Sequence, residues 1–417
     1  MRTSSVHDAV VSLLLLTVMA CAQPSPDQTQ AKGEASEVAA HSERGCVDPS
    51  ELEAGADLYP QKLEPRWASG FTISYHGHYK LLEIQNAGQS WKWALVRCGA
   101  PTPELDPAVS IVEVPVRRVA TTSTTDLPHL ESLGLMHAWV GHADLRYVSS
   151  RQLRVLIDEG TVAEIGGADG LGLDIERLIG LAPDLLFADN PNRAGADRLQ
   201  LLEQVGTRVV PMPSFLESSP LARAEWLKVT ALFFDREVEA QQVFQEIESG
   251  YEQLRRRVME ATGDGADQAA RPTVITGAPW QGVWHVAGGD SFMAKLLADA
   301  GADYPWADSP GVGPLLLDIE RVYEKASDAD FWFNPSHLGS LREIEAADQR
   351  LAAFDAFQQQ RVYAPDLRLQ PSGGNDYWEL GVHRPDLVLS DLVAVLHPQL
   401  LPDAEMVFHR RLEVEAP

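Results

Sequence analysis

The residues best suited to holding a small molecule gather on a few short, irregular stretches. Trp280, Trp284 and His285 form one, Asn334-Pro335-Ser336-His337 a second, and Gly373-Gly374-Asn375-Asp376-Tyr377-Trp378 a third. Earlier in the chain, Thr121 to Thr125, Asn190 to Arg193 and Pro213 to Phe215 sit where strands are expected to end. Flat rings supply contact area at little entropic cost. An arginine such as Arg193 can fork onto carboxylate or hydroxamate oxygens. Two glycines ahead of Asn375 mark an irregular loop, so its rings are poor candidates for routine core. The candidate ligand-binding residues are Thr124, Thr125, Asn190, Arg193, Trp280, Trp284, Asn334, Tyr377 and Trp378.

Catalytic templates are missing. There is no GxxxxGK[ST] phosphate loop, no GxSxG elbow and no HExxH zinc helix. The closest histidines, His76 and His78, share a turn, and the rest are scattered, which does not suit a transition-metal site. We therefore expect no catalytic residue, no metal ligand and no cofactor. His285 and His337 remain the acid-base candidates for an enzyme reading.

The positioning elements follow from periodicity. From Val116 onward, short apolar strands alternate with helical patterns, which predicts βα units around mostly parallel sheets. Expected strands are Val116–Ala120, Ala138–Val140, Leu185–Ala188 and Arg208–Pro211, then Thr273–Thr276, Phe331–Phe333 and Val362–Tyr363. Helices are expected near Pro128, Ser149, Asp174 and Arg193, then over Pro220–Phe234, Ser291–Ala300, Asp318–Lys325, Ala346–Phe357 and Pro385–Leu396. Between the halves, apolar residues from Val238 to Val258 recur mostly every three or four positions. This predicts one long helix over 236–262, with Asp235 as its cap and Gly263 as its stop. Leu173-Asp174-Ile175-Glu176-Arg177 before it returns as Leu317-Asp318-Ile319-Glu320-Arg321 after it, an offset of 144 positions. Such a self-match implies two similar lobes. The loops at the carboxyl ends of the parallel strands would then form the ligand crevice.

Composition narrows the class. A net charge of −26 argues against nucleic acid and against a basic membrane-docking patch. Residues 1–20 read as a signal peptide, with an apolar run too short to span a bilayer. Its end, Val18-Met19-Ala20-Cys21, resembles the lipobox of bacterial lipoproteins, which makes Cys21 the lipidation site. Residues 21–45 hold almost no bulky apolar side chain and suit a disordered tether. Cys46 and Cys98 remain, and an oxidising compartment would pair them. Phe71–Tyr75, Tyr79–Ile84 and Trp91–Leu95 alternate as half-buried strands, so 46–115 is expected to carry a small antiparallel extension. The expected domains continue with 116–235, the linking helix 236–262, and 270–417, with Gly263–Arg271 as the internal linker.

The chain from Val116 to Pro398 resembles the substrate-binding proteins of ABC importers for iron-siderophore and cobalamin-type chelates. The resemblance rests on Asp174–Leu178 followed by Leu181–Leu185, on Ala222–Lys228, on Gly288-Gly289-Asp290-Ser291 with Leu297–Ala302, and on Gly373–Glu379. It implies an α/β fold of two Rossmann-like lobes joined by one long helix, and the iron-chelate branch more than the cobalamin one. It implies a monomeric, exported, lipid-anchored receptor on a bacterial membrane, partnered by an ABC permease and its ATPase. Ferric iron would enter only as part of the bound siderophore. It also implies that Glu176 and Glu320 dock into the permease, one from each lobe. The rivals are the same receptor for cobalamin or haem, a chelatase-like enzyme, and an adhesin on the same scaffold.

Overall fold

The structure, a computed structural model, describes residues 46–50, 52, 56–86, 88–166, 172–189, 201–263 and 271–415. Cys21, Asn190 and Arg193, the tether, and most of the linker after Gly263 lie outside the described residues.

The extension begins with β1 (Phe71–His76) and β2 (Tyr79–Asn86), joined by a tight turn in which Gly77 takes a φ of 67°. β3 (Gln89–Arg97) continues the antiparallel meander. β4 (Ser110–Val114) then pairs parallel to β3, so the sheet is mixed rather than purely antiparallel. Cys46 and Cys98 are both disulfide-bonded.

Three buried polar clusters seat this sheet on the helices that lead into the linking helix. The Glu225 carboxylate accepts the N–H groups of Arg66, Trp67 and Ala68 at 2.7–3.0 Å, and also the Lys228 ammonium. Glu217 accepts the N–H groups of Ser69 and Gly70 and the Trp226 indole. Lys80 is fully buried and donates to Asp235, Glu237 and the Leu232 carbonyl at 2.6–2.7 Å. Buried charge is tolerated only when so fully partnered. Phe71 meets Trp226 edge-on at 5.2 Å between these anchors.

The first lobe holds β5 (Val119–Thr121), β6 (Trp139–His142), β7 (Ala163–Glu164), β8 (Leu185–Ala188) and β9 (Arg208–Pro211). All pair parallel, in the order β7-β6-β5-β8-β9. The order reverses on either side of β5, and in open parallel sheets such a switch point is where a ligand crevice forms. Helices Pro220–Ala224 and Leu227–Phe234 replace the single helix expected there.

The linking helix runs Glu237–Thr262 and buries Ala240, Phe244, Ile247, Tyr251, Leu254 and Val258. Its start differs from expectation. Asp235 takes a left-handed φ of 52°, ends the preceding helix, and gives its carboxylate to Lys80 and Arg97 instead of capping the next. Burial of Lys80 demanded that carboxylate, and tertiary demand outweighs a local cap worth about 1 kcal/mol.

The second lobe repeats the core of the first. β10 (Val274–Thr276) is followed by β11 (Pro279–Trp280), β12 (Val283–Ala287) and β13 (Pro314–Leu317), which form an antiparallel three-stranded sheet that sequence reasoning missed. β14 (Phe331–Phe333) and β15 (Val362–Ala364) join β10 in parallel, and β16 (Arg410–Arg411) closes the edge antiparallel. The repeat is structural: Asp174 accepts the N–H of Arg177 at 2.9 Å, and Asp318 that of Arg321 at 2.8 Å, each capping a helix that leads into the strand beside the first strand of its lobe. The helix expected over Ala346–Phe357 is broken. Asp348 is extended, ends Leu341–Ala347, and caps a new turn through Arg350 N–H at 2.9 Å.

Candidate functional site

In the second lobe, the carboxyl ends of β10, β14 and β15 open into a cavity of about 610 Å³. Thr276 and Gly277 come from β10, Asn334 and His337 from the end of β14, and Asp366 with Leu369 from the loop after β15. Trp378 lines it with 52% of its surface exposed. Trp280 stands edge-on to His337 at 4.9 Å and is 55% exposed. His285, on β12, also faces the cavity. Large rings left in water beside a hollow are not packed as core and offer their faces to a ligand.

One wall comes from the first lobe. Arg223 reaches the cavity from helix Pro220–Ala224, donates to the carbonyls of Glu217 and Phe215 at 3.0 and 2.6 Å, and lies over the Phe292 ring at 4.2 Å. Burial pushes its pKa down to about 10, so the guanidinium is charged at neutral pH. Sequence reasoning quoted Arg223 as part of a family pattern and missed its place in the cleft. A half-buried arginine on an otherwise apolar helix carries no local sequence mark.

Two candidates change role. Trp284 is fully buried: its indole N–H donates to the Thr276 carbonyl at 3.0 Å, and its ring stacks on Trp332 at 5.4 Å. It is core, because alternation along β12 turns it inward while His285 turns out. Tyr377 is 2% exposed and stands behind Asn334, whose amide lies 3.2 Å from its hydroxyl.

In the first lobe, Thr124 and Thr125 sit in a single 3₁₀ turn capped by Ser123, at the switch point beside β5. Thr122 donates to Asp189 at 2.7 Å across that point. Asp126 ends the turn fully buried, and burial together with Asp189 holds its pKa well above the usual carboxylate range. Thr124 and Thr125 do not line the second-lobe cavity.

A larger hollow, about 830 Å³, lies between the lobes beside the linking helix and shares Leu369 with the cavity. In its wall Arg368 pairs with Asp376 at 2.8 Å, and Arg384 pairs with Asp386 at 2.6 Å. Between the two, the 373–379 loop crosses to the first lobe. Glu379, fully buried, accepts the N–H groups of Ser149 and Ser150 at 2.8 and 2.9 Å. Burial pushes its carboxyl up to about 7. Gly374 approaches so closely that a Cβ there would sit 2.8 Å from the Tyr147 carbonyl oxygen.

A family model described as "Periplasmic binding protein" matches residues 119–368. An uncharacterized lipoprotein of Methanocaldococcus jannaschii is 25% identical over 312 residues, 73% of this chain and 71% of the relative. A periplasmic binding protein from Veillonella parvula superposes with a TM-score of 0.54 at 14% identity, covering 77% of this chain and 99% of that one. A possible iron-binding, periplasmic solute-binding protein from Staphylococcus epidermidis gives 0.51 at 18% identity, covering 68% and 99%. With two similar lobes, one linking helix and a cavity at the strand ends, the chain belongs to the periplasmic binding proteins of ABC importers, which bind solutes for transport and are not enzymes.

Proposed function

We propose that this protein captures a ferric siderophore outside the cytoplasm and hands it to an ABC permease driven by its ATPase. The observation that carries the reading is the pair of exposed rings, Trp280 and Trp378, beside a cavity that also presents Arg223, His285, Asn334 and His337. Rings suit the apolar arms of a chelator, and a charged guanidinium suits its oxygens. The chelator's own oxygens hold the iron. Haem is the second reading, because His285 and His337 stand in the same cavity and imidazole is a common haem ligand; cobalamin is the third.

Tryptophan fluorescence decides among them. Saturable quenching by ferric hydroxamates, catecholates or citrate, and not by metal-free forms, is expected. Quenching by haem or cobalamin alone would replace the siderophore, and silence across the panel would remove the chelate reading.

Delivery rests on Glu176 and Glu320. Both are exposed in the first turn of equivalent helices, and Glu320 pairs with Arg350 at 2.5 Å. Exposed charges at matching places orient a partner more than they add affinity. Glu176→Lys with Glu320→Lys is expected to abolish uptake while chelate affinity stays unchanged; normal uptake would refute the assignment. A lipid on Cys21 would hold the receptor at the membrane, and labelled palmitate tests it.

A further inference from the structure

Beneath the cavity floor runs a line of buried polar groups that the binding role does not by itself require. Asn334 closes β14 with a φ of 53°, in the left-handed region that costs a non-glycine residue free energy. Its N–H donates to the Tyr363 carbonyl at 2.8 Å and its own carbonyl accepts from Gly277 at 3.1 Å. The backbone is thus held, and the side chain meets the cavity wall. Its Oδ1 lies 3.1 Å from His409 Nε2, and its Nδ2 lies 3.2 Å from the Tyr377 hydroxyl. His409 is fully buried, with Nδ1 3.1 Å from Asp391 Oδ2. That same oxygen accepts the N–H groups of Phe408 and His409 at 2.7 and 2.9 Å.

The donor inventory decides how protons are placed. A carboxylate oxygen can face Nδ1 closely only if Nδ1 donates. Nε2 in turn faces an amide oxygen, which also only accepts. Two lone pairs at that distance repel, so Nε2 donates as well. The alternative turns the amide, so that Nδ2 donates to a bare Nε2 and Oδ1 takes the Tyr377 proton. The two arrangements differ by one proton. In the first, Asp391 balances a buried imidazolium from behind, and the positive end of the pair faces Asn334 and the cavity that Arg223 also lines.

We propose that His409 is the positioning residue of this cleft: donating from both ring nitrogens, it fixes the Asn334 carboxamide with an N–H left for the ligand, and it biases the cleft toward anionic chelates over neutral ones. The selectivity rests on the chelate reading above; the proton placement does not.

Two measurements test it on the intact protein. Nitrogen-15 spectroscopy of the His409 ring, assigned by its loss in His409→Gln, is expected to show two protonated nitrogens. A bare Nε2 would overturn the proposal without any ligand. Binding is then compared for an anionic ferric tricatecholate and a neutral ferric trihydroxamate. His409→Gln keeps an amide for hydrogen bonding but no charge. Because the charge acts through Asn334 and not by direct contact, it is expected to lose about three- to tenfold in affinity for the anion, with little change for the neutral chelate. Equal losses for both would mark a merely structural residue, and no loss for either would also refute the proposal. Wild-type protein that binds neither chelate would remove the chelate reading and the selectivity with it, while the ring nitrogens still decide the proton placement.

Discussion

Replacing Glu379 by glutamine tests how the lobes are held together. Its carboxylate caps Ser149 and Ser150 across the lobe junction, and burial raises its pKa from 4.5 to about 7. A raised carboxyl favours the folded state most when protonated. Its contribution is therefore fully present below pH 4.5 and is lost as pH rises through about 7. At about 1.4 kcal/mol per pKa unit, the wild type should lose about 2–3 kcal/mol from this group between about pH 5 and pH 8. Glutamine has no proton to lose. In place of the protonated acid it costs about 1–3 kcal/mol, because its NH₂ must face one of the two N–H donors. Urea unfolding of both proteins, followed by circular dichroism, should show the variant less stable by about 1–3 kcal/mol at about pH 5, and the difference shifting by about 2–3 kcal/mol in the variant's favour by about pH 8. His129 and His142, pushed down to about 3 and about 4 by burial, impose the opposite slope, but they do so in both proteins and cancel in the difference. A gap that stays constant with pH would refute the reasoning.

Two further substitutions probe the frame. Lys80→Met should destabilise by about 3–5 kcal/mol in urea unfolding, because it strips the ammonium from Asp235 and Glu237, both largely buried; a change under 1 kcal/mol would show that Arg97 alone satisfies them. Gly374→Val places side-chain atoms against the Tyr147 and Val148 carbonyl oxygens, 2.8 and 2.9 Å from the Cβ position. It should widen the lobe junction, which small-angle scattering reads as a larger radius of gyration; an unchanged radius would show that the loop yields instead.

Much of the architecture was legible in the sequence. The linking helix was visible because its apolar face repeats over seven turns, and Gly263 marked its end. The doubled Leu-Asp-Ile-Glu-Arg motif announced two lobes because both copies do the same local job, an aspartate capping a helix start. Buried strands such as Leu185–Ala188 and Phe331–Phe333 announced themselves as short apolar runs between turn signals.

The site was legible only in outline. Loops at strand ends could be located from periodicity, so Asn334 and Trp378 were expected where the structure places them, in the cavity wall, and Trp280 nearby, against His337. Whether a ring faces water or core depends on the pairing partner, and the β12–β13 pairing that turns Trp284 inward joins residues about thirty positions apart. Arg223 was missed for the same reason: its meaning comes from Phe292 in the other lobe. What the sequence by itself determined was whatever depends on near neighbours, namely helix length, caps, turns and the repeat. What only the tertiary structure decided was which polar groups lose water together. Asp235 left its helix for Lys80, Glu379 crossed to Ser149 and Ser150, and Asp391, His409 and Asn334 aligned beneath the cleft. Desolvation is set by everything that packs around a group, and that packing is assembled from distant parts of the chain.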